Sequence, residues 1–143
     1  MLARTVEHAV RAAIVLARHY GERSVSADEI ASIVGAPRNY LSKTLNVLTR
    51  RGILTSARGP GGGFALAVAP ESLSVADIAD VFADPRPTDA RCLLGDARCN
   101  AKDPCSAHRR WTELARLARE PLSHTTIGDL CGERRATGVA GRP

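Results

Sequence analysis

Residues 28–54 read DEIASIVGAPRNYLSKTLNVLTRRGIL, and the reading of this stretch decides the fold. Just ahead of it, Ser26-Ala-Asp-Glu29 has the spacing of a capping box, with Ser26 as N-cap and Glu29 three residues on. A short helix then runs through Ile30, Ile33 and Val34 and is ended by Gly35. Pro37 suits the first turn of the next helix, where its missing N–H is no loss. In that helix Leu41, Leu45 and Leu48 share one face, while Arg38, Asn39, Ser42, Lys43, Asn46 and Arg50 point outward. Helix, tight glycine-containing turn, helix is the spacing of a helix-turn-helix.

Downstream of Gly52 the period changes. Ile53-Leu54-Thr55 predicts a short strand, Arg58-Gly-Pro-Gly-Gly-Gly63 a hairpin loop and Phe64-Ala-Leu-Ala-Val68 the return strand. A two-stranded wing directly after the second helix of the motif defines its winged form. The glycine run lacks the Lys-Ser/Thr of a phosphate-binding P-loop and the βαβ setting of a dinucleotide fold. Upstream, Val6, Ala9, Val10, Ala13, Ile14, Ala17 and Tyr20 form a helical stripe over residues 5–20, stopped by Gly21.

Beyond the wing, Ser74-Val-Ala-Asp77 caps a helix running to about Ala83, with Val75, Ile78, Ala79 and Phe82 inward. Residues 84–104 form a loop punctuated by Pro, Gly and Asp. From Pro104 or Cys105 a longer helix follows, with Trp111, Leu114, Ala115, Ala118 and Leu122 on one stripe that Leu117 widens. So broad an apolar face in so short a chain predicts a long C-terminal dimerisation helix and a homodimer. A last helical turn is expected around Thr126–Leu130, and residues 132–143 have the composition of a disordered tail. The expected fold is mainly α with a small β-wing. It comprises a winged helix-turn-helix domain (1–83), a loop and dimerisation helix (84–131) and the tail (132–143).

Composition sets the outer limits. The chain has 143 residues with 44% hydrophobic and only 3% aromatic residues, so its core must be built from Leu, Val, Ile and Ala. No apolar run reaches the length of a membrane span and the N-terminus lacks a signal-peptide pattern, which predicts a cytoplasmic protein with reduced thiols and no membrane partner. The formal charge is +5, and residues 1–70 carry all of the excess, with nine Lys/Arg against four Asp/Glu. A basic N-terminal half fits a surface that faces phosphates, although basic faces are also commonly just solvated. In the second helix of the motif, Arg38, Asn39, Tyr40, Ser42 and Lys43 fall in the first two turns, the part that reaches base edges. Their polar types hydrogen-bond bases and phosphates, so double-stranded operator DNA is the expected partner. Arg50, Arg51 and Arg58, with the bare amides of Gly59 and Gly61, suit the sugar–phosphate backbone or a minor groove.

The remaining signal is chemical. Cys92, Cys99, Cys105 and His108 fall within seventeen residues, spaced C-x6-C-x5-C-x2-H, in a polar loop that cannot be a core strand or helix. Thiolates crowded in this way repel one another and oxidise unless something binds them, and a soft metal or an iron–sulfur cluster is the natural occupant. Structural zinc usually takes its cysteines in C-x2–4-C pairs, whereas these longer gaps could wrap a larger cluster. A zinc site and a metal-free thiol switch are the alternatives. His108 begins a helix three residues after Cys105, so both can reach one face. Glu7 in the first helix competes as a ligand, against the plainer role of a partner for the helix dipole. Cys131 stands apart. A nucleophilic Cys99 or Cys105 with His108 as base would need an oxyanion site that the sequence does not offer, so neither an enzyme nor a small-molecule substrate is expected.

Taken together, EHAVRA (7–12), the helix-turn-helix stretch, the wing RGPGGGFAL (58–66), the loop cysteines and TTIGDL (125–130) resemble the Rrf-two family of winged-helix regulators, over almost the whole chain to about residue 131. The resemblance implies a homodimer and an iron–sulfur cluster coupled to operator binding. CSAHRRW (105–111) is similar to the IscR type, which implies a [2Fe–2S] site completed by His108. Glu7 and RNYLSK (38–43) are similar to the NsrR type, which implies an acidic ligand from the other subunit and admits a [4Fe–4S] cluster. The six-residue first gap is one longer than either type usually has. The implied mechanism is a repressor that senses redox state, nitric oxide or iron–sulfur status.

Overall fold

The computed structural model describes residues 2–83, 92, 94–95 and 98–133. The tail expected over 132–143 falls outside these from residue 134 on, as does most of the segment between 84 and 97. The chain order is α1 (Arg4–Ala17), α2 (Ala27–Val34), α3 (Arg38–Arg50), β1 (Leu54–Ala57), β2 (Gly63–Leu66), a single 3-10 turn (Pro70–Ser72), α4 (Val75–Val81), α5 (His108–His124) and α6 (Ile127–Glu133). It is a mainly α protein with a two-stranded antiparallel sheet, as the sequence pattern predicts.

α1 is the hub. Ala9, Ala12 and Ala13 are completely buried, and their small side chains let α2, α3, α4, α6 and β2 all pack against one helix. Around it, Leu16, Ile30, Leu41, Leu45, Leu48, Ile78 and Ile127 are fully buried and fill the core without a single buried phenylalanine or tryptophan. Each such side chain contributes about 1.5–3 kcal/mol by leaving water. α1 ends at Ala17, one turn earlier than the stripe suggests, and Tyr20 is left exposed in the turn that follows.

The helix-turn-helix forms as its sequence dictates, with three local changes. Ser26 Oγ accepts the Glu29 N–H at 3.2 Å, but Glu29 does not close the capping box. Its carboxylate is drawn instead to Arg23, at 2.7 and 3.1 Å, because a guanidinium offers a bidentate charged partner where the box offers one neutral N–H. Ile33 is 55% exposed on the outer side of α2, since Ile30, Ala31 and Val34 suffice to meet α3. α2 ends at Gly35 in the left-handed region, and Pro37 is the N-cap of α3 rather than its first residue.

In the wing, Leu54 faces Leu66 and Ala57 faces Gly63 across the ladder. β1 begins one residue and ends two residues later than Ile53–Thr55, β2 runs from Gly63 to Leu66 rather than from Phe64 to Val68, and Leu54 and Leu66 both enter the core. A third segment joins: Val25, just before α2, pairs with Phe64 through N–H···O contacts of 2.9 and 2.8 Å in opposite directions. Gly63 makes this pairing possible. Its φ is +146°, and a Cβ there would lie 2.4 Å from the Val25 carbonyl oxygen.

α4 has the complete capping box that Ser74 and Asp77 predict, but it ends at Val81. α5 begins at His108, one turn later than Pro104 or Cys105, because residues 99–105 fold back as a turn. It extends away from the core and buries none of its residues. Trp111, Leu114 and Leu117 are 37%, 59% and 48% exposed. Among the described residues, its C-terminal half is attached to the core by Leu122 and by a two-pronged Arg119–Asp80 ion pair to α4. α6, capped by mutual Thr126–Asp129 contacts at 2.9 and 3.0 Å, then returns the chain to α1.

Candidate functional site

A turn built on Asn100 gathers the thiols. The Asn100 Oδ1 accepts the N–H groups of Lys102 and Asp103 at 2.9 and 3.1 Å, and the Asn100 N–H donates to the Asp103 carbonyl. This Asx turn reverses the chain between Cys99 and Cys105, so that the Cys105 N–H donates to Cys99 Sγ at 3.3 Å. Cys92 comes in from the preceding segment, with its Sγ 3.5 Å from that of Cys105. The three Sγ atoms all lie within 4.8 Å of one another. Sequence reasoning passed over Asn100, although Asn-x-x-Asp-Pro is a recognisable turn signal.

His108 opens α5, with its N–H on the Cys105 carbonyl, and its Nδ1 lies 3.3 Å from Cys99 Sγ. The imidazole therefore adjoins the thiol group from the side of Cys99. Glu7 is half-buried on α1 and lies outside the thiol group. Cys131 lies in α6, where its thiol contacts the Ile14 carbonyl at 3.7 Å and burial pushes it up.

Electrostatics favour a positive guest. The Cys105 N–H favours the Cys99 thiolate, but desolvation and the neighbouring Cys105 and Cys92 thiols outweigh it, and Cys99 is pushed up to about 11. Three sulfurs this close cannot all ionise alone. A bound cation that displaces the protons removes that conflict, and the sulfur-plus-imidazole donor set suits a soft metal or an iron–sulfur cluster. The span also fits: a tetrahedron with metal–sulfur distances of about 2.3 Å has sulfur–sulfur edges of roughly 3.8 Å.

On the second candidate surface, α3 exposes Arg38, Asn39, Lys43, Asn46 and Arg50, while Ser42 is half-buried. Arg38 pairs with Asp28 on α2. Lys43, Arg50, Arg51 and Arg58 meet no carboxylate among the described residues, which leaves four cations available to phosphates. Arg51, Arg58, Gly59 and Gly61 are all exposed, the last three at the tip of the wing. Tyr40 is the exception on α3. It is half-buried, its hydroxyl lies 2.6 Å from Thr5 Oγ1 on α1, and its ring meets that of His8 edge-on at 5.6 Å. The sequence pattern groups Tyr40 with the base-facing residues, whereas its hydroxyl is engaged within the protein.

Known proteins bear on this arrangement. The model of the Rrf2 family, described as iron-dependent transcriptional regulators, matches residues 2–133. The chain is 37% identical over 128 residues to an Aquifex aeolicus protein classed as an HTH-type transcriptional regulator, with 88% of each chain covered. To the HTH-type transcriptional regulator IscR of Photorhabdus laumondii it is 30% identical over 135 residues, covering 94% of this chain and 81% of that protein. The structure of T. potens IscR superimposes with a TM-score of 0.79 at 25% identity, over 99% of this chain and 93% of the other. CymR, the global cysteine regulator of B. subtilis, shares the fold with a TM-score of 0.74 at 24% identity, over 93% of this chain and 97% of that one. Among the described residues no helix is long and apolar enough to cross a membrane. A three-cysteine group that could hold a metal thus sits on a winged helix-turn-helix DNA-binding scaffold, and the chain belongs to the Rrf2 family of transcriptional regulators.

Proposed function

We propose that this protein is a cytoplasmic, homodimeric repressor whose operator affinity is set by an iron–sulfur cluster held by Cys92, Cys99 and Cys105. The carrying observation is the convergence of three thiols within 4.8 Å beside the N-terminus of α5, with the His108 Nδ1 at 3.3 Å from Cys99. His108 is the favoured fourth ligand, which suits a [2Fe–2S] cluster, and Glu7 of α1 is the alternative. Bound there, the cluster would supply sensitivity to oxidants, nitric oxide or iron supply.

What the protein's own residues do follows from the fold. The Asn100 turn holds Cys99 and Cys105 in register, and His108 links the loop to the first turn of α5. Trp111, Leu114 and Leu117 give α5 an apolar face suited to a second α5, so ordering of the loop would bear on the dimer and on the separation of the two α3 helices. Arg38, Asn39, Ser42 and Lys43 read base edges, while Arg50, Arg51, Arg58 and the amides of Gly59 and Gly61 meet the backbone.

A second reading keeps the regulator and changes the occupant. The 3.5 Å separation of Cys92 and Cys105 also suits a single zinc ion or reversible disulfide formation. The test is DNA affinity, by fluorescence anisotropy on an operator selected from random-sequence duplexes, for anaerobically purified protein, chelator-treated protein and Cys99→Ala. The cluster reading predicts affinities that differ by tens of fold between loaded and stripped protein, on the order of 2 kcal/mol of coupling, with Cys99→Ala behaving as stripped. Equal affinities in all three would refute it.

A further inference from the structure

Resting on the cofactor-gated reading above, we propose that the Thr5–Tyr40 hydroxyl contact is the tie through which α1 positions the DNA-reading turn of α3. Tyr40 sits among the residues assigned to DNA, between Asn39 and Ser42, yet its hydroxyl lies 2.6 Å from Thr5 Oγ1 across 35 residues of sequence. Its ring stands edge-on to His8 at an interplanar angle of 78°. Thr5 and His8 are one turn apart on α1 and flank Glu7, the alternative ligand.

The seam around this contact is otherwise joined by apolar packing rather than by hydrogen bonds. The His8 Nδ1 is buried with no hydrogen-bond partner. Neighbouring polar groups on α3 are satisfied within their own helix: Thr44 Oγ1 donates to the Tyr40 carbonyl and Thr49 Oγ1 to that of Leu45. Among the described residues, the Thr5–Tyr40 pair is therefore the one hydrogen bond between the side chains of α1 and α3. A slide of α1 by a fraction of a turn must either drag Tyr40 or break this contact, and Tyr40 lies in the turn that presents Asn39, Ser42 and Lys43. Leu41, next in sequence, is fully buried, as are Leu45 and Leu48, so the response at Tyr40 is a small one within a packed helix. Tyr40 is thus a positioning residue, acting on DNA through the residues beside it.

The test compares loaded and stripped protein on the selected operator, reading the ratio of their affinities. Tyr40→Phe keeps the ring and removes the hydroxyl, Thr5→Val removes the other partner, and Thr5→Ser retains it. Tyr40→Phe and Thr5→Val should each shrink the ratio at least threefold, with iron content unchanged. The double variant should do no more than either alone, and Thr5→Ser should restore the ratio. Loss of affinity by the same factor in both forms would overturn the proposal and make Tyr40 a direct DNA contact or a packing residue. A ratio of one in the unaltered protein would overturn the cofactor-gated reading itself, and this proposal with it, before any variant is compared.

Discussion

Gly63→Ala is the sharpest perturbation of the wing. A Cβ at this position would lie 2.4 Å from the Val25 carbonyl oxygen, 2.6 Å from its carbon and 2.9 Å from the Ser26 nitrogen, all of them backbone atoms that cannot rotate away. Ordinary contact begins at 3.4 Å, so β2 and Val25 must part by a full ångström along this direction. The two Val25–Phe64 hydrogen bonds, now 2.9 and 2.8 Å, would not survive that displacement. Two lost backbone hydrogen bonds cost about 1–3 kcal/mol together. An alanine held at a φ of +146° adds strain on the order of 1–3 kcal/mol. The sum is roughly 4 kcal/mol, which lowers the melting temperature of a domain this size by about 10–15 °C. Gly61→Ala is the internal control: φ there is +73° but a Cβ would meet nothing within 4 Å, so only a cost near 1 kcal/mol is expected. Thermal and urea unfolding of chelator-treated protein at one fixed concentration would measure both, since any ligand binding or self-association shifts the midpoint. If Gly63→Ala is no more destabilising than Gly61→Ala, the three-segment account of the wing is wrong.

Further outcomes follow from the same structure. Arg58→Ala at the wing tip should weaken DNA binding about equally across sequences and reduce the slope of log affinity against log salt by about one unit; an unchanged slope would place Arg58 away from phosphate. Leu117→Glu on the exposed face of α5 should shift the protein toward monomer in light scattering, and an unaltered mass would show that α5 is not the dimer seam. The Thr126 backbone N–H, then the Thr126 hydroxyl, hold the Asp129 carboxylate below its ordinary value of 3.8. Because its folded value is depressed, Asp129 stabilises α6 at pH values above 3.8 and loses that effect as pH falls below. Asp129→Asn should therefore flatten the acid limb of a stability–pH profile, and an identical limb would mean the contact carries no linkage.

Much of this molecule is legible from its sequence because local signals and burial agree. Ser74-Val-Ala-Asp77 gives a capping box and forms one, and Leu41, Leu45 and Leu48 share a face and are all completely buried. What local pattern does not show arises where a distant partner competes. Glu29 leaves its box for Arg23, which lies in a turn that no periodicity describes. Tyr40 shares its turn with Arg38 and Asn39, and only the crossing of α1 over α3 shows that its hydroxyl faces Thr5. The apolar stripe of α5 begins only at Trp111 and so does not fix where the helix starts, whereas the Asn100 turn claims the residues before His108. The thiol spacing announced a site, but only folding back of the loop brings Cys92 and Cys105 to 3.5 Å.

The central claim is that the gathered thiols hold an iron–sulfur cluster. Its most direct test is a visible absorption spectrum of protein purified without oxygen, together with counts of iron and acid-labile sulfide per chain. The account predicts a coloured protein with charge-transfer bands, iron and sulfide in equal amounts, and loss of both in Cys99→Ala. A colourless protein carrying zinc, or one that takes up neither iron nor sulfide on reconstitution, would contradict it.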